Sequence, residues 1–363
     1  MLSAHQRRAS SNSPTSAATT LHAAREFPLD QSGVPRLPHP KLQFGPWWIA
    51  SETALSSLAY AMARAVGKTI EIVEAPQLFE PQSWHHHWTD DNAVVLSLAR
   101  QGDGYLLRFP DLADFLLQPH ASRISIIQRN ASTDDATLEH LLIDQVLPRY
   151  LAHEGMLSLH ASTLVIGGKC VLILGKSGAG KSTLSGFLAV RGHTLRSDDC
   201  TLVELDGSLA LATPTYPSLR LLPDSIEALY PAGTDMRPMA HYSSKQRVVP
   251  QAVDTGLPTL PIDGFLVLDN AAPANAAPLT PMTAAESCLA LIRHSFQLDP
   301  GDKRRMATHL HMCSEVARML PACRLAYPRR YDAMTDVASL IEAHVSAMPI
   351  ATAAHAPTPA SGS

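Results

Sequence analysis

The segment Gly175-Lys176-Ser177-Gly178-Ala179-Gly180-Lys181-Ser182 satisfies every fixed position of the phosphate-binding pattern G-x-x-x-x-G-K-[ST]. Such a loop functions in one setting: a strand must enter it and a helix must leave it. The backbone N–H groups can then wrap phosphates, while the helix N-terminus adds partial positive charge. The flanking residues supply both elements. Residues 170–174, Cys-Val-Leu-Ile-Leu, form a short apolar strand, and residues 181–191 read as a helix, with Gly192 where a left-handed helix stop is expected. The chain is thereby constrained to an α/β core around this unit. Its expected ligands are a purine nucleoside triphosphate, ATP, and Mg2+. Lys181 would reach the β- and γ-phosphates, the Ser182 hydroxyl would bind magnesium, and the nucleotide contacts would run from Gly175 to Thr183.

The rest of the chain is organised around that unit. Residues 157–166 read as a strand that turns at Gly167-Gly168 into the strand feeding the loop. Further strands are expected at 194–196, 201–205, 209–212 and 264–268, and helices at 283–296, 303–320 and 334–347. Before them, apolar runs at 69–73, 93–98, 105–109 and 124–127, with a helix near 54–66, suggest a small mixed domain. A helix starting near Asp134 should end or kink at Pro148. Both termini are rich in Ser, Ala, Thr and Pro without periodicity. The expected division is a disordered tail over 1–40, a small α+β domain over 41–150, a catalytic domain over 151–347 and a second tail over 348–363.

Four groups of residues could carry chemistry. Asp198-Asp199 follow the loop by 16 and 17 positions from Ser182; adjacent carboxylates are unfavourable unless a cation or a proton separates them, and a magnesium triphosphate is such a cation. One of the pair can hold metal and the other can accept the proton of an attacking hydroxyl. His160, alone in an apolar run, lies on the strand paired to the one that enters the loop. Arg220, Lys245 and Arg247 are candidate phosphate or acceptor contacts. Asp269, closing an apolar strand, is a second candidate magnesium aspartate, ranked below the pair. The run His85-His86-His87 is read as a surface aromatic patch, because alternation puts only two of the three on one face. Trp47 and Trp48 are read as packing residues.

Composition narrows the alternatives. A formal net charge of -4 with 17% charged residues gives no sequence-independent grip on nucleic acid. No apolar run approaches the roughly 20 residues that cross a bilayer, so no membrane association is expected. Residues 1–25 combine Arg7, Arg8 and Arg25 with no acid, as transit peptides do, but also as a generic solvated tail does. Five cysteines at irregular spacings suit buried thiols in a reducing, cytoplasmic setting.

The stretch from His160 to Asp199 resembles the catalytic domain of HPr kinase/phosphorylase and its relatives. It has His160-Ala161, then the loop form G-x-S-G-x-G-K-S at Gly175 to Ser182, then Arg191-Gly192-His193 followed by Asp198-Asp199. The resemblance is firm over 157–205 and plausible as far as 269. It implies the compact P-loop core shared with phosphoenolpyruvate carboxykinases, here following the small α+β domain read above, and transfer of the γ-phosphate to a serine hydroxyl. It further implies Asp198 as general base, Asp199 as a metal ligand beside Ser182, and His160 as a residue orienting phosphate or Asp198. Thr183 stands where the bifunctional members have Glu, so dephosphorylation is not expected. The segments around 157–162, 217–224 and 245–250 look more like HPr-kinase-related proteins of bacterial peptide-maturation clusters, which implies a precursor peptide or other protein serine as acceptor. Relatives form hexamers, which leaves a homo-oligomer open. The alternatives are a small-molecule kinase on the same core and a nucleotide-regulated peptide-binding module.

Overall fold

The alternation of side chains along Lys169–Leu174 decides how the layers stack. Val171 and Ile173 enter one apolar cluster while Cys170, Leu172 and Leu174 enter another, and all five are buried. A strand apolar on both faces needs cover on both. On the Val171 side lie the helices Lys181–Val190 and Met334–Ala347; on the Leu172 side lie Ala284–Arg293 and Lys303–Met319. The computed structural model describes residues 41–58, 67–77, 79–250, 259–269 and 278–351, and Pro40–Ser363 forms one compact unit.

Lys169–Leu174 pairs antiparallel with Ala161–Ile166 through the two-residue turn Gly167-Gly168, whose φ angles of +57° and +82° favour glycine. On its other side it runs parallel to Leu260–Leu268, which is parallel in turn to Ala322–Leu325. The early residues of Leu260–Leu268 also join Leu209–Pro214, followed by Thr201–Asp206 and Leu157–Leu159. Residues 157–166, expected as one strand, are therefore two. The chain leaves one sheet segment for another at His160, whose N–H donates to the His294 carbonyl at 2.6 Å rather than to a neighbouring strand. The remaining strands and the three C-terminal helices fall where the periodicity puts them.

Residues 41–129 build an eight-stranded sheet in the order Lys41–Phe44, Trp47–Ser51, Thr69–Glu74, Arg123–Arg129, Ala113–Gln118, Gly104–Phe109, Ala93–Gln101, His86–Asp90. Its inner face shares a core with Leu138, Leu141, Leu142 and Tyr150, and with Cys200, Leu202 and Tyr216 from beyond the phosphate loop. Trp47 packs edge-on to Tyr150 at 6.2 Å, and His86 packs edge-on to Trp88 at 4.4 Å. Of the helix expected near 54–66, residues 56–57 form a turn and 59–66 lie outside the described residues. Both tails also lie outside the described residues, apart from 348–351. Among the described residues no helix is long and apolar enough to cross a membrane.

Pro148 does not end its helix. The chain continues from Asp135–Leu141 through a π-turn at Leu142–Val146 into Leu147–His153, with Pro148 in the first turn of that last segment. Proline cannot donate to the carbonyl four residues back, here that of Asp144, and the widened turn absorbs the mismatch.

Leu172 is fully buried at the centre of the sheet. Leu172→Ala should lower stability by about 2–5 kcal/mol, whereas Leu310→Ala, on the exposed side of its helix, should change it by no more than about 0.5 kcal/mol. Urea denaturation checks the pair; equal effects would contradict this placement of the core.

Candidate active site

The loop after Leu174 turns back on itself and starts the helix at Lys181. Gly178 and Gly180 have φ of +73° and +91°, and a Cβ on Gly180 would stand 3.1 Å from the Tyr327 hydroxyl. Gly175 and Ala179 back the loop: a Cβ on Gly175 would meet that of Ala179 at 3.1 Å, and Ala179 is buried. The other loop residues and Thr183 line a cavity of about 460 Å³, together with His160, Asp199 and Arg220.

The two aspartates sit in different surroundings. Asp198 is fully buried, accepts from the Ser182 hydroxyl at 2.7 Å and from Ser162, and does not face the cavity. Asp199 keeps 16% side-chain exposure and stands in the cavity wall. It is paired with the Lys181 ammonium, with Arg220 Nη1 at 3.3 Å and with His160 Nε2 at 3.7 Å. Its backbone is left-handed, with φ of +62°, in a three-residue turn closed by Cys200 N–H on the Asp198 carbonyl at 2.8 Å. That conformation costs a non-glycine residue on the order of 1–3 kcal/mol. It is maintained because the pairs above fix the side chain.

The electrostatics follow from this packing. Burial, then the charge of Asp199, raises Asp198 above the ordinary carboxylate value. Burial acts the same way on Asp199, but Lys181 and Arg220 outweigh it and hold that carboxyl well below the usual range. Lys181 is raised, burial notwithstanding, by Asp199 and Asp198. Burial, then Lys181, pushes His160 down to about 4, so its imidazole is neutral near pH 7.

A carboxylate that the sequence did not single out completes the site. Asp144, carried on the π-turn, accepts from Arg220 Nε at 2.9 Å and Nη2 at 2.6 Å, from His140 at 2.5 Å and from the Tyr216 hydroxyl. Burial opposes its ionisation, yet Arg220 and His140 lower it overall. A lone Asp in the run Leu141-Leu142-Ile143-Asp144-Gln145-Val146-Leu147 was the available signal, since an unpaired carboxylate does not persist in an apolar helix face. Tyr327 and Arg329 were also not anticipated; Arg329 Nη2 donates to the Gly178 carbonyl at 2.7 Å on the rim of the loop.

The other candidates divide. Lys245 lines the cavity. Arg247 does not: it pairs with Glu139 at 2.8 Å in a separate cavity. Asp269 is also not in the cavity wall; its N–H donates to the Leu325 carbonyl at 2.9 Å and its side chain lies 3.8 Å from Arg324. His87 bonds Ser97 at 2.9 Å, and no group of three or more potential metal-ligating side chains occurs among the described residues.

No protein-family model matches the chain. An 86-residue stretch is 35% identical to the provisionally named HPr kinase/phosphorylase 2 of Oceanobacillus iheyensis, covering 23% of this chain and 26% of that protein, so the match spans about a quarter of the relative's length. Among solved structures, the Hpr(Ser) kinase/phosphatase from Coxiella burnetii aligns with a TM-score of 0.30 and 16% identity, over 52% of this chain and 95% of that one. The chain is thus weakly homologous to HPr kinase/phosphorylase over part of its length.

His153, His160 and His294 are all pushed to about 4, mainly by burial. Between about pH 4 and the ordinary imidazole value near 6.5 the unfolded chain binds more protons than the folded one. Stability should therefore rise with pH through that window, and His160→Gln should flatten the rise. Urea unfolding at half-unit pH steps reads both effects; an unchanged slope in the variant would contradict a neutral His160.

Proposed function

We propose that the chain is an ATP-dependent kinase that transfers a γ-phosphate to a serine hydroxyl on a peptide or protein. The observation that carries the reading is one cavity lined both by the glycine-rich loop with its lysine and by a cation-held carboxylate, Asp199, paired to that lysine. The partial similarity to an HPr kinase/phosphorylase supports the same chemistry. A precursor peptide is the acceptor class favoured here, from the resemblance of residues 217–224 and 245–250 described above.

The positions of the two aspartates favour exchanging the roles first expected of them. Asp198 is buried and its Oδ2 accepts from the Ser182 hydroxyl at 2.7 Å, so it would act from behind the loop, orienting that hydroxyl towards magnesium, a hard ion that takes oxygen donors. Magnesium would neutralise charge on the phosphates there. Asp199 faces the acceptor. In the transfer, the serine oxygen bonds to the γ-phosphorus as the bond to the β,γ-bridging oxygen breaks. ADP leaves with that electron pair, and the serine proton passes to Asp199. Arg220 keeps Asp199 ionised and aimed, and neutral His160 adds no competing charge.

The separating experiment compares Asp199→Asn and Asp198→Asn. Asp199→Asn should bind ATP and magnesium about as well as the wild type yet lose phosphate incorporation by roughly 100- to 10,000-fold. Asp198→Asn should weaken magnesium-dependent ATP binding itself. Calorimetry and transfer to serine-containing peptides and to HPr provide the readouts. If Asp199→Asn transfers normally, the exchanged roles fail, and if the wild type phosphorylates none of the acceptors, the kinase reading fails.

Lys181→Ala should abolish productive ATP binding, because the γ-phosphate loses its principal side-chain cation. Unchanged affinity and turnover would show that the loop is not the site.

A further inference from the structure

A second cavity, of about 520 Å³, has Arg247, Arg237, Ser218, Ser57, Gly233 and Asp235 in its wall. Three short strands set its chemistry. Leu219–Leu221, Gln246–Val248 and Met236–Pro238 form a small sheet in which Arg220 is directly opposite Arg247, and Arg247 is directly opposite Arg237. Opposed residues of antiparallel strands share a face, so three arginines stand in a row, one per strand. Like charges so placed repel unless each has an anion. Arg220 has Asp144 and Asp199. Arg247 has Glu139, but only through Nη1, which also donates to Ser57.

The other edge of the Arg247 guanidinium is unused. Arg247 is only 5% exposed, yet its Nε and Nη2 have no hydrogen-bond partner, and neither does the hydroxyl of Ser218, which is 2% exposed. Nε–H and Nη2–H are the two parallel donors with which arginine grips both oxygens of a carboxylate or phosphate. Arg191 uses the same edge on Glu342, with Nε and Nη2 each 2.8 Å from one carboxylate oxygen. Leaving charged donors buried and unpaired is more unfavourable than leaving a neutral group so. Nη1 is already fixed by Glu139 and Ser57, so the free edge is held in one orientation.

We propose that this cavity is an oxyanion-binding site, separate from the phosphate loop, in which Arg247 takes a carboxylate or phosphate group in a two-point grip with help from Ser218 and the exposed Arg237. The volume far exceeds one oxyanion, so the group belongs to a larger molecule. The inference does not use the kinase reading, since binding at the loop and at Arg247 can be counted separately.

The test is calorimetry with inorganic phosphate on the full chain. The wild type should bind two phosphates and Lys181→Ala one. Adding Arg247→Lys, which keeps the charge but removes the fork, should weaken the remaining site about tenfold or more. Should that variant not fold, Ser218→Ala and Arg237→Ala in the Lys181→Ala background should each weaken it several-fold. Acetate is the second probe: competition at the remaining site assigns a carboxylate-bearing ligand, and phosphate binding without competition assigns a phosphate ester. The proposal is overturned if Lys181→Ala alone removes all phosphate binding, or if the remaining binding is unchanged in the Arg247, Ser218 and Arg237 variants.

Discussion

Two adjacent carboxylates under the phosphate loop are the constraint on which the rest of the site depends. Ionised side by side and away from water, Asp198 and Asp199 repel each other strongly unless cations are supplied. The fold supplies two, Lys181 from the loop and Arg220 from a separate small sheet. Each is itself buried and would be unfavourable alone. The four charges therefore stand or fall together, and the chain segments that carry them must pack in one arrangement. Hydroxyls do the remaining work around Asp198: Ser162 and Ser182 bond the carboxylate directly, and Thr163 and Thr201 bond each other at 2.6 Å beside it.

Arg220 depends in turn on Asp144, which ties the site to the part of the chain before the loop. Asp144 sits on the π-turn that accommodates Pro148, and the same helical run packs Leu138, Leu142 and Tyr150 against the eight-stranded sheet. Tyr216 touches both sides of this connection: its ring packs on Phe44 at 5.9 Å and under the Arg220 guanidinium at 4.8 Å, while its hydroxyl bonds Asp144. Tyr216, Asp144 and Arg220 thus form a continuous line of contacts from Phe44 to Asp199.

How much of this the sequence could reveal depends on the range of the interaction that decides it. The strand–loop–helix unit, the Gly167-Gly168 hairpin and the C-terminal helices were legible because their signals are local, a motif or a period within a dozen residues. The break at His160 was not, because apolar residues run through it and only the His294 carbonyl, 134 positions later, distinguishes that residue from its neighbours. At Pro148 the local rule left an end or a kink open, and the helical run continues there through a π-turn rather than ending. Adjacency in sequence could not say which of Asp198 and Asp199 faces the cavity; only Asp199 lines it, on a left-handed turn and among the partners it meets. Arg220 and Arg247 are equivalent in the sequence as candidate phosphate or acceptor contacts, and pairing to Asp144 and Glu139 separates them.

The pairing of Lys181 with Asp199 has a consequence for the order of events in the proposed transfer. With no phosphate on the loop, the lysine is the strongest partner of the carboxylate that faces the acceptor, and a carboxylate so engaged is a poor proton acceptor. A triphosphate on the loop would compete for the same ammonium, since in that reading Lys181 is the side-chain cation of the phosphate cradle. Drawing it away leaves Asp199 with Arg220 and with a neutral His160, a weaker hold that keeps the carboxylate ionised and aimed while raising its proton affinity. In the proposed transfer the base would thus become competent only once the phosphate donor is in place. Arg220 would remain on Asp199 through this exchange, and the turn closed by the Cys200 N–H on the Asp198 carbonyl lies outside the lysine contact.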